Sequence, residues 1–419
     1  GGGENGAPAL GDSYVAETQL NFAAWDDRIH GVVGVFGFHE NTRQPTNVVT
    51  DVNIFQQAIL TDARIKNWDI ASYSQISVDV FDWLEATAGI RWSKEKKGTA
   101  LTKTTYRNGE IVDVGDTERE EKFTEWTPMA SLTATVPEDL LDGTHVDHLM
   151  AYFTYSQGFR GGGFNSTATG GTDLEPFDPE FIDSFEVGFK AGFFERRLGM
   201  NLSAFLYNYD DLQVLAIRTD CTDPEDPTTC VTRQSIENAG AATGRGLELE
   251  FKSRPIDPLF ITASVGLLET AYDEFPDAPP ELSLSLDPNL TVNRAGQSFN
   301  NSPNLQTHIS VMTVLPVDLF EAGWLNGYLV PRLDWYYQSE VHFNAPEVTA
   351  SNQAGYNLLH ARLSYDFFDD RAQVAFYAQN LTDQEYMLYG QNLAPFFGVV
   401  SAVYGPPRTY GAEISWRFD

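Results

Sequence analysis

Cysteines, histidines, clustered carboxylates and glycine-rich turns are where a chain's chemistry usually starts, and here each is sparse or scattered. The only cysteines are Cys221 and Cys230, both inside one acidic, proline-containing segment. Two thiols alone make a poor metal site, whereas a short polar loop that holds both of them suits a local disulfide in an oxidising compartment. Carboxylate oxygens suit calcium, so Asp220, Asp223 and Asp226 form a candidate cluster beside that bridge, weighed against a merely solvated acidic loop. The histidines are scattered, and only His145 and His148 are spaced closely enough to suggest shared ligation. No metal centre is expected from them. Gly161-Gly162-Gly163 is followed by neither Lys-Ser nor Lys-Thr and opens no helix, which excludes a phosphate loop and leaves loop flexibility. No catalytic constellation emerges, so neither an enzyme nor a cofactor is expected.

Capture of a ligand is the remaining chemistry, and it uses aromatic and polar side chains gathered in a concavity. The candidates are Arg160, Phe164, Tyr336, His342, Phe343, Tyr389, Phe396, Phe397 and Tyr404. They lie far apart in sequence, so the elements between them decide whether they meet.

Those elements read as strands. From Phe185 to Phe193 every odd position is apolar while the even ones are Glu186, Gly188, Lys190 and Gly192. Side chains of a strand point alternately to its two faces, so this period means a sheet with two different surroundings. The pattern recurs from Leu149 to Tyr155, Leu198 to Leu206, Leu247 to Lys252, Leu329 to Tyr337 and Tyr410 to Phe418. About fifteen strands result, with short corners near Trp25, Asp82, Asp139, Glu195, Ile256, Asp318 and Asp369 alternating with long loops. Residues 41–64 and 94–116 read as irregular or polar connections, with Asn108-Gly109 as a turn. Trp25, Trp83, Trp92, Tyr207, Tyr209, Trp335 and Trp416 fall near strand ends, as interfacial girdles do.

Solvent decides the fold class. Glu186, Lys190, Glu248 and Lys252 would each cost several kcal/mol if buried unpaired on a dry face. They need water, while Phe185, Val187 and Phe189 need hydrocarbon. An all-β transmembrane antiparallel barrel, with short periplasmic turns and long extracellular loops, satisfies both and leaves no open edge in lipid. Its faces cancel in any window average, which reconciles a 42% hydrophobic content with a membrane location. No apolar run is long enough for a helical span. The net charge of −32 argues against a nucleic-acid partner. Fifteen is odd, so first and last strands run the same way and cannot close an antiparallel barrel. The chain is therefore expected to be a C-terminal portion, residues 1–419, of a larger one.

Six stretches then carry a resemblance: Tyr155 to Asn165, Phe185 to Lys190, Asn238 to Glu250, Asn301-Ser302-Pro303, Asn380 to Asp383 and Pro407 to Gly411. In this order they resemble the barrel domain of TonB-dependent outer-membrane receptors of Gram-negative bacteria. The resemblance implies a barrel of about 22 strands around an N-terminal plug, with the plug and first strands lying before this chain. It implies active uptake of a ferric siderophore, haem, cobalamin or an oligosaccharide, with outer-membrane lipid and TonB as partners. A passive porin, or a surface structural or adhesive barrel binding a partner through acidic loops, stands as the alternative.

Overall fold

A computed structural model of the chain describes residues 10–418, apart from 53–54, 108, 166–173, 222–229, 277, 279–290, 318–325, 345–347, 369–370 and 393–398. One antiparallel sheet dominates it. Its first strands are β1 (Leu10–Ala24), β2 (Ile29–Val52), β3 (Phe55–Phe81), β4 (Leu84–Arg107), β5 (Glu110–Thr135) and β6 (Val146–Arg160). The middle is β7 (Glu180–Phe193), β8 (Leu198–Asp210), β9 (Ala241–Ile256), β10 (Leu259–Tyr272) and β11 (Leu305–Thr313). β12 (Gly327–Gln338), β13 (Tyr356–Phe367), β14 (Ala372–Gln379) and β15 (Thr409–Trp416) complete it. Each strand pairs with the next, and a short strand, Leu315–Val317, also pairs with β12. β1 and β15 are the two edges, unpaired among the described residues.

Register carries the expected alternation from strand to strand. Phe189, Leu202, Leu249 and Val265 form one row, and Val187, Ala204, Leu247 and Leu267 the next, all on one face. Val187, Leu247, Leu267, Leu333, Phe376 and Ile414 are exposed there. Leaving such a side chain in water forgoes about 1.5–3 kcal/mol, so this face needs hydrocarbon around it. The opposite face holds Lys190, Asn201, Glu250, Ser264 and His308 in a single row. Arg362 there donates to Glu413 at 3.1 Å and to Gln373 at 3.0 Å, and Arg332 pairs with Asp334 at 2.8 Å. This is the wet interior face.

Tight corners join the strands at one end. Trp25, Asp26 and Asp27 have φ of 54°, 52° and 65°, and Phe194, Glu195 and Arg196 repeat this left-handed run. Asp147 accepts from the Glu195 and Arg196 amides at 3.1 and 2.8 Å, satisfying two N–H groups that such a turn leaves free. The Pro137 to Thr144 corner contains one helical turn, Glu138–Leu141.

Three expectations change. Residues 41–64 and 94–116 are not irregular, because β2 to β5 continue through them as long hairpins, with Gly109 at φ 83° in the second turn. The cysteine segment is a hairpin of Gln213–Cys221 and Cys230–Asn238. Tyr207 and Tyr209 leave the girdle: they share the interior face with Asn201 and Ser203, whereas Trp92, Trp335 and Trp416 do face outward.

Candidate functional site

The strand ends opposite the tight corners carry the long connections, and two of these form an aromatic cluster. Tyr336 sits at the end of β12 on the interior face, where its hydroxyl donates to Gln338 at 2.7 Å and accepts from Gln306 at 3.2 Å. Its ring lies 6.2 Å from Tyr356, which stacks on Tyr386 at 4.8 Å. Tyr356, Leu358 and Tyr386 are buried, so the cluster has a firm floor.

The connection between β12 and β13 brings His342 and Phe343 to this place. The Asn301 amide donates to the His342 carbonyl at 2.8 Å. Asn344 donates to Ser351 Oγ at 2.9 Å and to the Gly390 carbonyl at 3.1 Å, fastening this connection to the one before β15. Phe343 and Tyr389 rings then stand 6.2 Å apart. Tyr404 pairs with Met387 in the same hairpin, Met387–Asn392 with Val400–Tyr404. His342, Phe343, Tyr389 and Tyr404 therefore occupy two joined loops, the first of which departs from the end of β12 that carries Tyr336. Nδ1 of His342 is buried there without a hydrogen-bond partner among the described residues. Tyr389 and Tyr404, 48% and 55% exposed, remain open to an incoming molecule.

Arg160 and Phe164 lie elsewhere, at the glycine run. The chain leaves β6 and presses onto the interior face of β3 to β5, where Phe164 packs on Ala63, Leu101 and Leu174. A Cβ on Gly162 would overlap the Phe177 carbonyl oxygen and come within 2.8 Å of the Phe123 ring, and one on Gly161 would overlap the Glu95 carboxylate. The glycines thus serve close approach, not the flexibility expected of them. A cavity of about 480 Å³ remains between this segment and β3 and β4, with Glu95, Lys97, Arg160 and Gln213 in its lining. Lys97 Nζ lies 3.1 Å from Glu95, and Arg160 reaches Glu180 at 3.9 Å.

Side-chain amides lock this segment in place, and only part of that was visible in the sequence. Asn165 donates to the Ile236 carbonyl at 3.0 Å and accepts from the Ile236 amide at 2.7 Å. Gln213 donates to the Gly161 and Asp178 carbonyls at 3.2 and 3.1 Å, and Asn238 to those of Asp178 and Asp211 at 2.9 and 2.8 Å. Asn165 and Asn238 belong to stretches that stand out in the sequence, whereas Gln213 and Tyr356 carry no such signal. Asn380 shows what another motif does: at φ 49° and 2% exposed, it donates to the Gln384 and Pro406 carbonyls, while Asp383 accepts from the Arg408 amide at 3.0 Å. Motif residues here hold loops together.

Phe396 and Phe397 lie outside the described residues, as do Asp223, Asp226 and the side chain of Asp220. Cys221 and Cys230 are directly opposite in register, their side chains likewise undescribed. No group of three or more metal-ligating side chains occurs among the described residues.

With this geometry in view, the comparisons with known proteins are informative. The sequence profile of the family described as TonB dependent receptor-like, beta-barrel matches residues 4–381. The pesticin receptor of Yersinia pestis is 25% identical over 223 residues, covering 52% of this chain and 28% of that protein. The ferric yersiniabactin uptake receptor FyuA of Yersinia pestis superimposes with a TM-score of 0.75 at 18% identity, over 98% of this chain and 55% of that one. The ferric-catecholate import receptor Fiu of E. coli K12 gives 0.67 at 13% identity, over 98% and 55%. At these identities the superpositions speak for the fold alone. The chain spans about half the length of those structures, and less of the curated relative.

Proposed function

This chain belongs to the TonB-dependent receptor-like β-barrel family of the Gram-negative outer membrane, and from that premise we propose that it forms part of a receptor taking up a scarce nutrient with energy from TonB. The nutrient favoured is a ferric siderophore. The observation that carries this reading is the Phe343–Tyr389 ring pair, with Tyr404 in the same hairpin as Tyr389, on joined loops at the long-loop end. Flat, oxygen-rich metal chelates stack on such rings and accept hydrogen bonds from phenol groups. In this reading the chain is the C-terminal part of the barrel, with further strands covering β1 and β15 and a plug supplying the contact with TonB. Cys221 and Cys230, opposite each other in register, close their hairpin as a disulfide.

Uptake by cells tests the proposal. The receptor carrying this chain is placed in a Gram-negative host stripped of its own siderophore receptors and offered a panel of radiolabelled ferric siderophores. One of them should bind and enter, and deleting tonB should abolish entry but not binding. Phe343→Ala combined with Tyr389→Ala should weaken binding about tenfold, the loss of roughly 1.4 kcal/mol. Entry that persists without TonB would indicate a passive pore instead.

A further inference from the structure

The two joined loops that carry Phe343 and Tyr389, together with the connection before β11, differ from the rest of the chain in charge. Residues 273–304, 339–355 and 380–408 hold nine carboxylates against two arginines, and no lysine follows Lys252 anywhere in the sequence. These connections are fastened to one another. Besides the contacts of Asn301 and Asn344, the Leu305 amide donates to Ser339 Oγ at 3.0 Å, and the Met387 amide donates to Gln353 Oε1 at 2.6 Å. Their charges therefore act together on whatever approaches the rings.

Both arginines are committed to the loops' own structure. Arg294 is 6% exposed and donates to Gln297 Oε1 at 3.2 Å. Arg408 donates to the Leu381 carbonyl at 3.3 Å and lies 3.6 Å from Asp383. Lower on the interior wall the cations are matched as well, Arg332 by Asp334 at 2.8 Å and Arg362 by Glu413 at 3.1 Å. Glu340 and Glu385, by contrast, are exposed on the two joined loops and have no ion pair among the described residues.

We propose that this site discriminates by charge, favouring a ferric chelate of positive or zero net charge and turning away multiply anionic ones. Carboxylates that outnumber the cations around a binding surface set a negative potential, which draws in cations and repels anions before contact. Ring faces act in the same sense, since the negative side of an aromatic quadrupole attracts a cation. A polyanion would have to shed water with no uncommitted guanidinium among the described residues of these loops to replace it, and burying unpaired charge is costly. The inference rests on the siderophore reading above and narrows it to a charge class.

The complete receptor in an uncharged detergent, titrated with ferric chelates while its tryptophan fluorescence is followed, supplies the test. The probes are a linear ferric trihydroxamate in three forms with the same iron coordination, bearing a free ammonium terminus, an acetylated one or a succinylated one, and a triply anionic ferric tris-catecholate. In low salt, affinity should fall from the ammonium form through the acetylated to the succinylated by about threefold or more, with the tris-catecholate weakest, and high salt should flatten the series. Glu340→Gln/Glu385→Gln should compress the series, and Glu340→Lys/Glu385→Lys should reverse it. Affinities indifferent to charge, tightest binding of the tris-catecholate, or a series unchanged in the Lys variant would each overturn the inference while leaving a siderophore receptor in place. Binding of none of the four would remove the siderophore reading and this inference with it.

Discussion

At the scale of single residues, Gly162 is the position where the structure is least forgiving. Its missing Cβ is occupied by the Phe177 carbonyl and the Phe123 ring, backbone and aromatic groups that cannot swing aside. Gly162→Ala should therefore lift the segment after β6 from the barrel wall at about 1–3 kcal/mol, the usual cost of overpacking. Limited proteolysis of intact cells should cut this variant faster after Gly163, whereas Gly161→Ala, opposed only by the movable Glu95 side chain, should change less. A run of three glycines was conspicuous in the sequence, but close approach and flexibility look identical there. Which one applies is fixed by what lies across the gap, and Glu95, Phe123 and Phe177 come from distant parts of the chain. The aromatic candidates follow the same logic. Tyr336 and Tyr389 were legible as rim residues, yet their supports Tyr356, Tyr386 and Asn344 became visible only through the contacts they make.

At the scale of elements, the corners and membrane-crossing stretches were readable and the outer halves of the long hairpins were not. From Glu40 to Arg43 both faces carry polar groups, and from Asp62 to Lys66 the alternation is inverted, with Asp62, Arg64 and Lys66 outward and Ala63 and Ile65 inward, because beyond the bilayer the outward face meets water. The apolar-outward pattern is then lost although the ladder of hydrogen bonds continues, with β2 and β3 in register as far as Val52 and Phe55. Cross-strand pairs take over the role of the apolar face there. Arg43 grips Asp62 through both carboxylate oxygens at 2.6 to 3.0 Å, which holds that carboxyl below its ordinary range, chiefly through these hydrogen bonds. Both residues stand well outside the membrane-crossing part of the hairpin. A depressed carboxyl stabilises the fold above the unfolded pKa of about 3.9 and loses that contribution as pH falls through the lower folded value. Amide exchange at the tip of β2 and β3 should accelerate below about pH 4 relative to the membrane-crossing parts, and Asp62→Asn should show the fast rate already at neutral pH. A tip equally protected at both pH values would refute this role.

At the scale of the whole molecule, the division into an oily and a wet face follows directly from alternation, and so does its test. Leu249, between Leu202 and Val265 on the outward face, should tolerate Arg poorly: Leu249→Arg should cost about 2–4 kcal/mol in a folding titration into lipid vesicles. Ser203→Arg, one position away in height but on the face shared with Glu248, should cost little. Equal penalties would mean that the two faces do not differ in solvent. Strand number and pairing order were legible because the described corners break the period, whereas loop packing was not, since hairpins such as Gln213–Cys221 with Cys230–Asn238 fold back on chain that is remote in sequence.

The two outermost strands have parallel polarity, being first and last of an odd series in which every neighbour is reversed. Left to itself, such a ribbon has no antiparallel way to join its own margins. Two molecules related by a twofold axis do, since β1 can zip against its symmetry mate and β15 against its own. Refolded in isolation, this polypeptide should therefore sediment as dimers or as chains of alternating like-to-like seams.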